Sequence, residues 1–368
     1  MPQQSALEKV SGNLQWRLTD IVVGFIICLI YYVAIKGCVY FLKSIFLCKT
    51  SCLDPHENLA LEQLLLEYCP EDSCILYLWQ NQNTVVIGRN QNPWRECRLE
   101  LLQQEQGTLA RRLSGGGAVF HDIGNLNFTF LTTTEGYDLA KQMSVIEYAC
   151  RSLGIAAERS GRNDVLAEGR KFSGNAFYQS QGKAYHHGTL LVNADFSKLQ
   201  RYLSPSKAKM QAKGVASVQS RVINLRELVP DLTCERMRQA MADAFEKVYG
   251  LQPTILDPES FAGEKLDALS AKNGSWEWLY GTTLPFSIAC EQKFDWGELQ
   301  LQLMIQSGVV HAVKAYTDAM DWQVAGQIEA ALPGTAFSPT DVAACMEKAF
   351  PAAPEMGTQI TELLMRQM

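Results

Sequence analysis

Apolar and polar positions change their spacing along the chain, and each change marks a new part. Residues 21–35 read IVVGFIICLIYYVAI without a charge, and after Lys36 the run continues as GCVYFL to Leu42. That is about the ~20 residues of one bilayer crossing, so residues 21–42 form a candidate transmembrane helix. Lys36 can snorkel from a helix end. From Ser44 the texture becomes alternating strands and helices. SIFLCK reads as a short strand. ENLALEQLLLEY places Leu59, Leu61, Leu64, Leu65 and Tyr68 at helical spacing. CILYLWQ and TVVIGR read as strands on either side of the turn residues Asn81–Asn83. A helix is predicted over Glu96–Glu105, and a strand over Leu109–Leu113. After a glycine run, AVF and LNFTFLT read as further strands. Met143–Leu153 reads as a helix. KFSGNAFYQ and AYHHGTLLVN alternate around Gln181-Gly182, which predicts a hairpin. Tyr202–Val218 is rich in Ser, Lys and Gly and reads as a loop, and Thr233–Val248 as a helix. A second unit begins near residue 260. WEWLYG, then KFDWGELQLQLMIQSGVVHAVKAYTD, then two helical stretches predict a small α+β module. The fold class is α+β with mixed strands and no regular βαβ repeat. The expected domains are an N-terminal extension (1–43), a large domain (44–258) and a small accessory domain (259–368).

Composition narrows the function classes. The chain has 368 residues, 47% hydrophobic and 20% charged, which suits a packed globular protein rather than a disordered one. With 33 basic against 39 acidic residues the formal charge is −6, so no overall nucleic-acid footprint is present. The 11 cysteines include no C-x-x-C; the nearest pair is Cys48 and Cys52. A structural zinc site is not expected, and the cysteines read as small core residues in a reduced compartment. None of the five histidines lies four residues from another, which excludes a zincin helix. Arg17 and Asp20 precede the apolar run, and Lys36, Lys43 and Lys49 accompany or follow it. The positive-inside rule then leaves the large C-terminal part in the cytoplasm, tethered by the N-terminal segment. The competing reading of that segment is a misassigned start or a buried helix.

Three stretches carry candidate chemistry. In RRLSGGGAVFHD (Arg111–Asp122), three glycines after a strand permit a tight turn and close backbone approach. The N–H groups of such a turn suit a phosphate or carboxylate, with Arg111 and Arg112 adding fixed positive charge. It is neither a Walker A loop nor a dinucleotide fingerprint. In GRNDVLAEGRKFSGNAFYQ, Asp164 and Glu168 could meet a divalent cation. Lys171 offers a compact cation able to bridge two anions. His186 and His187 adjoin a strand, point to opposite faces and read as core or surface residues. KAKMQAKGVASVQSR, with Lys207, Lys209, Lys213 and Arg221, is either a solvated basic loop or a flap over a nucleotide.

In their order, these residues resemble the lipoate–protein ligases of the two-domain bacterial type. The motifs are LDPHENLALEQ (53–63), TVVIGRNQNPWRECR (84–98) and RRLSGGGAVFHDIGNLNFTF (111–130). GRND (161–164), RKFSGNAF (170–177), HHGTLLVNAD (186–195), AKGVASVQSRVINL (212–225) and SWEWLYG (275–281) follow. The resemblance implies a biotin/lipoate-ligase-like catalytic domain with mixed sheets and flanking helices, plus the small α+β domain. It implies activation of lipoate by ATP and Mg²⁺ to lipoyl-AMP. The lipoyl group would then pass to a lysine of apo lipoyl domains, those of 2-oxoacid dehydrogenase E2 subunits and the glycine-cleavage H protein. No nucleic-acid partner is implied, and a monomer is expected. Matched by motif, Lys171 is the central catalytic lysine, contacting the lipoate carboxyl and the α-phosphate. Arg112, Gly117, Ala118, Val119, Phe120, Asp164 and Lys171 fall at ATP-binding positions. Trp79, Arg112, Ser114, His121 and Lys171 fall at lipoate-binding positions, and Asp164 is the carboxylate for Mg²⁺ held through the phosphates. Ala212–Arg221 lies in the loop that closes over the adenylate. The sequence departs at Asp54-Pro55-His56, where the family has an aromatic residue, and in the segment before residue 43.

Three alternatives differ in chemistry. An acyl transferase without ATP activation can use an acyl-cysteine, yet no cysteine lies between Cys150 and Cys234. A transferase of preformed lipoyl-AMP is less favoured by SWEWLYG and the full C-terminal domain. A non-catalytic lipoyl-domain binding protein has no need of Arg112, Gly115–Gly117 and Lys171.

Overall fold

The computed structural model describes residues 42–161, 163–203, 222–280 and 287–368. Residues 21–41 of the candidate membrane segment, Arg162, most of the basic loop, all of Ala212–Arg221, and Gly281 lie outside these residues. Among the described residues no helix is long and apolar enough to cross a membrane, and the described cysteines are free thiols.

The chain order begins β1 (Ser44–Lys49), α1 (Pro55–Tyr68), β2 (Ser73–Trp79), β3 (Thr84–Ile87), α2 (Pro93–Glu96) and α3 (Leu99–Gln104). Then come β4 (Thr108–Arg111), β5 (Val119–His121), β6 (Asn125–Thr133), α4 (Leu139–Ser152), β7 (Glu158–Ser160) and β8 (Asp164–Ala167). β9 (Arg170–Ser180), β10 (Lys183–Leu191), α5 (Phe196–Tyr202), α6 (Cys234–Tyr249) and β11 (Pro253–Leu256) close the large sheet region. α7 (Glu264–Gly274) and α8 (Trp276–Tyr280) lead to β12 (Ile288–Phe294), β13 (Gly297–Gln306) and β14 (Val309–Thr317). The chain ends in α9 (Gln323–Ala331), α10 (Pro339–Ala349) and α11 (Pro354–Met365). The C-terminal module therefore has three helices where hydrophobic spacing predicted two. The predicted helix over 96–105 is two short ones, because Cys97 leaves the helical path to bridge Leu203.

Eight strands form one mixed sheet in the order β11-β1-β2-β6-β10-β9-β8-β7. Period-2 side chains give it two faces. Cys74, Leu76 and Leu78 of β2 join Leu126, Phe128 and Phe130 of β6 under α4 and α6. Ile75, Tyr77 and Trp79 face the other way, into a second core with α1 and with Val86 and Ala110. Those last two belong to a second sheet, β4-β3-β5, lying over this face. So the two apolar runs around Asn81–Asn83 enter different sheets rather than pairing. Asp54 accepts from the N–H groups of His56 and Glu57, and Pro55 takes the first helical position, which fixes the start of α1. His56 shares a hydrogen bond between Nε2 and the Leu109 carbonyl (2.9 Å), so it ties α1 to β4. The β9–β10 hairpin forms as predicted, with Gln181 (φ 50°) and Gly182 (φ 74°) supplying the left-handed pair of a type I′ turn. The third sheet, β12-β13-β14, has its own core with α9, α10 and α11 around Leu299, Leu301, Leu303 and Ile328. Phe261 and Leu266, ahead of it in the chain, pack with α1 and the large sheet.

Candidate active site

Strand register builds the floor of the main cavity. Trp79 on β2 opposes Asn127 on β6, and Asn127 opposes Thr189 on β10. The hydroxyl of Thr189 accepts the N–H of Gly174 on β9 at 3.3 Å. The four residues cross four strands in one row, about 14 Å at normal strand spacing. A second row runs Tyr77, Thr129, His187 and Ala176. Val86, Val119, His121 and Gly116–Ala118 cover this floor, and Met320 of the C-terminal module closes one side. The cavity so enclosed measures about 200 Å³.

Lys171 reaches the cavity through an irregularity in β9. Asp164 opposes Gly174 and Val165 opposes Ser173, but Leu166 opposes Lys171. Phe172 is therefore skipped, and it drops into the core at 0% exposure. Such a bulge reverses the alternation. Lys171 gains the face of Gly174, and its ammonium lies over that glycine. A Cβ at residue 174 would stand 3.0 Å from Lys171 Nζ. The ammonium pairs with Asp164 at 2.6 Å, and both side chains are about a third exposed.

The glycine loop is held rather than free. Gly88 abuts it so closely that a Cβ there would stand 2.1 Å from the Gly116 carbonyl oxygen. Gly116 takes φ +90° and donates its N–H to the Ala319 carbonyl at 3.0 Å. Arg112 is nearly buried and donates to the carbonyls of Gly115 and Gly117, both at 2.8 Å. Burial pulls its pKa down to about 10, so it stays a cation. Arg111 does not serve as a free positive charge beside the loop. Its guanidinium donates to the carbonyls of Gly88, Arg89, Gln91, Trp278 and Leu279, which rivets α8 to the β3 turn.

A buried polar chain joins the cavity's ends. Trp79 Nε1 donates to Thr129 Oγ1 (3.1 Å), which donates to Glu62 Oε1 (2.7 Å). Glu62 Oε1 also accepts from His187 Nδ1 (2.9 Å). The Ser114 hydroxyl accepts from Arg112 Nε (3.1 Å) and shares a hydrogen bond with His187 Nε2 (2.8 Å). Beside it, Asn81 bonds His121 Nδ1 at 3.3 Å. Burial, reinforced by Arg112 and His187, holds the His121 pKa down to about 3, so the ring is neutral.

Of the residues singled out in the sequence, Trp79, Arg112, Gly117, Ala118, Val119, His121 and Lys171 line this one cavity. Ser114 stands one hydrogen bond behind it, and Asp164 reaches it through Lys171. The Phe120 ring turns away to pack on Tyr202, with centroids 5.4 Å apart. Sequence reasoning missed Glu62, Thr129 and His187. Glu62 carried a signal, a charge on the leucine stripe of α1, with Leu59 three residues before it and Leu66 four after. His187 reads only as one histidine of a strand pair until register puts it opposite Thr129. Among the described residues no three His, Cys, Asp or Glu side chains gather as metal ligands.

The family described as lipoyl protein ligase A/B catalytic domain matches residues 54–246. That described as bacterial lipoate protein ligase C-terminus matches residues 283–364. Among solved structures, LipL1 of P. falciparum in complex with lipoate superposes with a TM-score of 0.77 and 26% identity. The match covers 87% of this chain and 100% of that one. A bi-partite lipoate protein ligase of Thermoplasma acidophilum, solved in a lipoylation system with its E2 lipoyl domain, gives 0.57 at 24% identity. It covers 67% of this chain and 100% of that one. Lipoate-protein ligase A bound with ATP gives 0.55 at 23%, covering 65% and 98%. The last two likenesses are of fold.

Proposed function

The chain belongs to the lipoyl protein ligase A/B catalytic domain family, and from that premise we propose that it is an ATP-dependent lipoate–protein ligase. The observation that carries the reading is the strand-wide floor leading from Trp79 to Lys171. Leu59, Trp79 and Val86 line the same cavity as Lys171 and the glycine loop, so an apolar tail among the first three would bring its carboxylate to the lysine.

The reaction follows from charge. The lipoate carboxylate attacks the α-phosphate of ATP, and pyrophosphate leaves. Both reactants are anions, so the Lys171 ammonium between them reduces repulsion and stabilises the charge that builds on phosphorus. In the ligand-free chain Asp164 is the counter-ion of that ammonium. Arg112 adds its charge and stiffens the loop that would face the phosphates. Mg²⁺ would be held through the phosphates, with Asp164 the carboxylate at hand. The acceptor lysine then attacks the lipoyl-AMP carbonyl, forms the amide and releases AMP. The acceptors are lipoyl domains of 2-oxoacid dehydrogenase E2 subunits and the glycine-cleavage H protein.

The test uses the full chain with ATP, Mg²⁺, lipoate and an apo lipoyl domain, reading acceptor mass and pyrophosphate. We expect a lipoyl mass gain only with ATP, and pyrophosphate release that depends on lipoate. Lys171→Ala should lose about 100-fold or more in both steps. Mass gain from synthetic lipoyl-AMP, with none from ATP and lipoate, would make the protein a transferase instead.

A further inference from the structure

A second cleft, of about 540 Å³, lies between the large domain and the C-terminal module and shares no lining residue with the main cavity. Arg89, Arg111 and Trp278 stand on one side of it, and Lys314, Tyr316 and Trp322 on the other. Arg89 is set firmly between them. Its N–H donates to the Ser114 carbonyl at 2.9 Å, and its own carbonyl accepts from Arg111 Nη1 at 2.8 Å. Its guanidinium lies 5.5 Å from the Trp278 ring centroid and 4.9 Å from that of Trp322. Both indoles are fixed in turn. Trp278 Nε1 donates to the Arg111 carbonyl at 3.0 Å, and the Trp322 ring stacks on Tyr178 at 5.1 Å. Aromatic rings hold a guanidinium by its charge and leave its N–H donors to be satisfied elsewhere. The donors of the Arg89 side chain make no hydrogen bond or ion pair among the described residues. Its neighbours differ. Arg95 is filled by Glu291 and Glu298, and Arg111 and Arg112 by backbone carbonyls. Tyr316 is only 9% exposed, and its hydroxyl has no hydrogen bond among the described residues either. Two carboxylates also line the cleft. Glu329 is taken by Lys314 (3.0 Å) and the Ala315 N–H (2.9 Å), and Glu277 stands at the exposed rim.

A guanidinium fixed in place with its fork of donors open matches a carboxylate or a phosphate, which it can bind through two parallel hydrogen bonds. We propose that this cleft is a second binding site, for a small organic anion whose carboxylate or phosphate meets Arg89. The cleft is larger than the main cavity, at about 540 Å³ against about 200 Å³, so it has room for an organic body behind the charged group. Aromatic walls suit a body that is apolar or aromatic. The occupant touches both modules and therefore clamps them. Arg89 bonds Ser114, and the Ala319 carbonyl takes the Gly116 N–H, so the clamp acts on the two ends of the glycine loop. The site does not depend on the ligase reading above.

The experiment titrates the full chain at low salt, without ATP or lipoate, and reads binding by calorimetry. The probes are phenyl phosphate, benzoate and, as the neutral control, benzyl alcohol. We expect an anion to bind and the alcohol not to, and the tighter of the two anions identifies the head group. Arg89→Gln should weaken that binding about tenfold or more, the worth of hydrogen bonds to a charged group. Lys171→Ala should leave it unchanged, which separates this cleft from the main cavity. Glu277→Gln removes a like charge from the rim and should tighten binding about twofold. That surface variant keeps the test open if Arg89→Gln does not fold. At ten times Kd, the Gly116 and Thr317 amides should exchange hydrogen about tenfold more slowly, because opening between the modules must first release the ligand. The proposal is overturned if neither anion binds, or if the alcohol binds as well as they do. It is also overturned if binding survives Arg89→Gln but is lost in Lys171→Ala, if Glu277→Gln does not tighten it, or if the two amides exchange at the same rate with ligand.

Discussion

The chemistry of single residues here is decided by burial. Histidine normally titrates near 6.5, yet burial holds His121 and His186 down to about 3. His186 sits among Phe128, Phe130 and Phe177 with Nε2 bonded to Asn175 Oδ1 at 2.8 Å. Between pH 6.5 and 3 the unfolded chain therefore binds protons that the folded chain refuses. Stability rises with pH through that window and is fully present above it. Each such group changes the unfolding free energy by at most about 1.4 kcal/mol per pH unit. Urea midpoints should thus fall as pH drops from 7 to 5. His186→Leu, whatever its stability at pH 7, should lose roughly half of that slope. A slope unchanged by the substitution would mean that the ring is protonated in the native protein.

At the scale of elements, two glycines on adjacent strands separate site geometry from packing. A methyl at Gly174 meets only the flexible end of Lys171, with Nζ at 3.0 Å and Cε at 3.1 Å. A methyl at Gly188 meets the Gly174 carbonyl oxygen at 2.6 Å and the Phe128 ring at 2.7 Å, neither of which can swing away. Gly174→Ala should therefore leave the melting temperature within about 2 °C, while adenylation falls about tenfold or more through a misplaced ammonium. Gly188→Ala should destabilise by about 1–3 kcal/mol from overpacking. Melting curves and pyrophosphate release on the two variants check both, and a Gly174→Ala enzyme at full rate would remove Lys171 from the chemistry. The sequence revealed Lys171 as a motif residue beside a strand-like run. It did not reveal the bulge at Phe172 that turns it, because a period-2 pattern is silent about a skipped residue. Helix starts were legible, since Asp54-Pro55 and Thr233 carry capping chemistry. The assignment of β2 and β3 to different sheets was not, because both are short apolar runs whose partners lie more than 20 residues away.

For the whole molecule, the C-terminal module completes the site rather than decorating it. Met320 lines the cavity, and the Ala319 carbonyl takes the Gly116 N–H. The Thr317 N–H donates to Asn90 at 2.9 Å, and Asn90 Nδ2 donates to Trp322 at 2.6 Å. The Arg89 guanidinium lies between the indoles of Trp278 and Trp322, at 5.5 and 4.9 Å from their centroids. None of these contacts follows from local sequence, because each joins residues more than 180 positions apart. Triple glycine signalled close approach, but a ligand and a neighbouring backbone explain it equally well until the fold is known. Gly115 tells the two apart: its Cβ would stand 2.2 Å from the Ala319 oxygen and 2.7 Å from that of Met320. Those are backbone atoms of the other module, so Gly115→Ala must push the glycine loop and residues 319–320 apart. The Gly116 and Thr317 amides, both donors in this seam, should then exchange hydrogen faster by about tenfold or more, at about 1.4 kcal/mol of lost protection. Amides in β6 and β10 should keep their protection, because the large sheet does not cross the seam. Unchanged exchange at Gly116 in that variant would mean that the loop is held by Arg112 and Gly88 alone, and that the C-terminal module is not part of the site's frame.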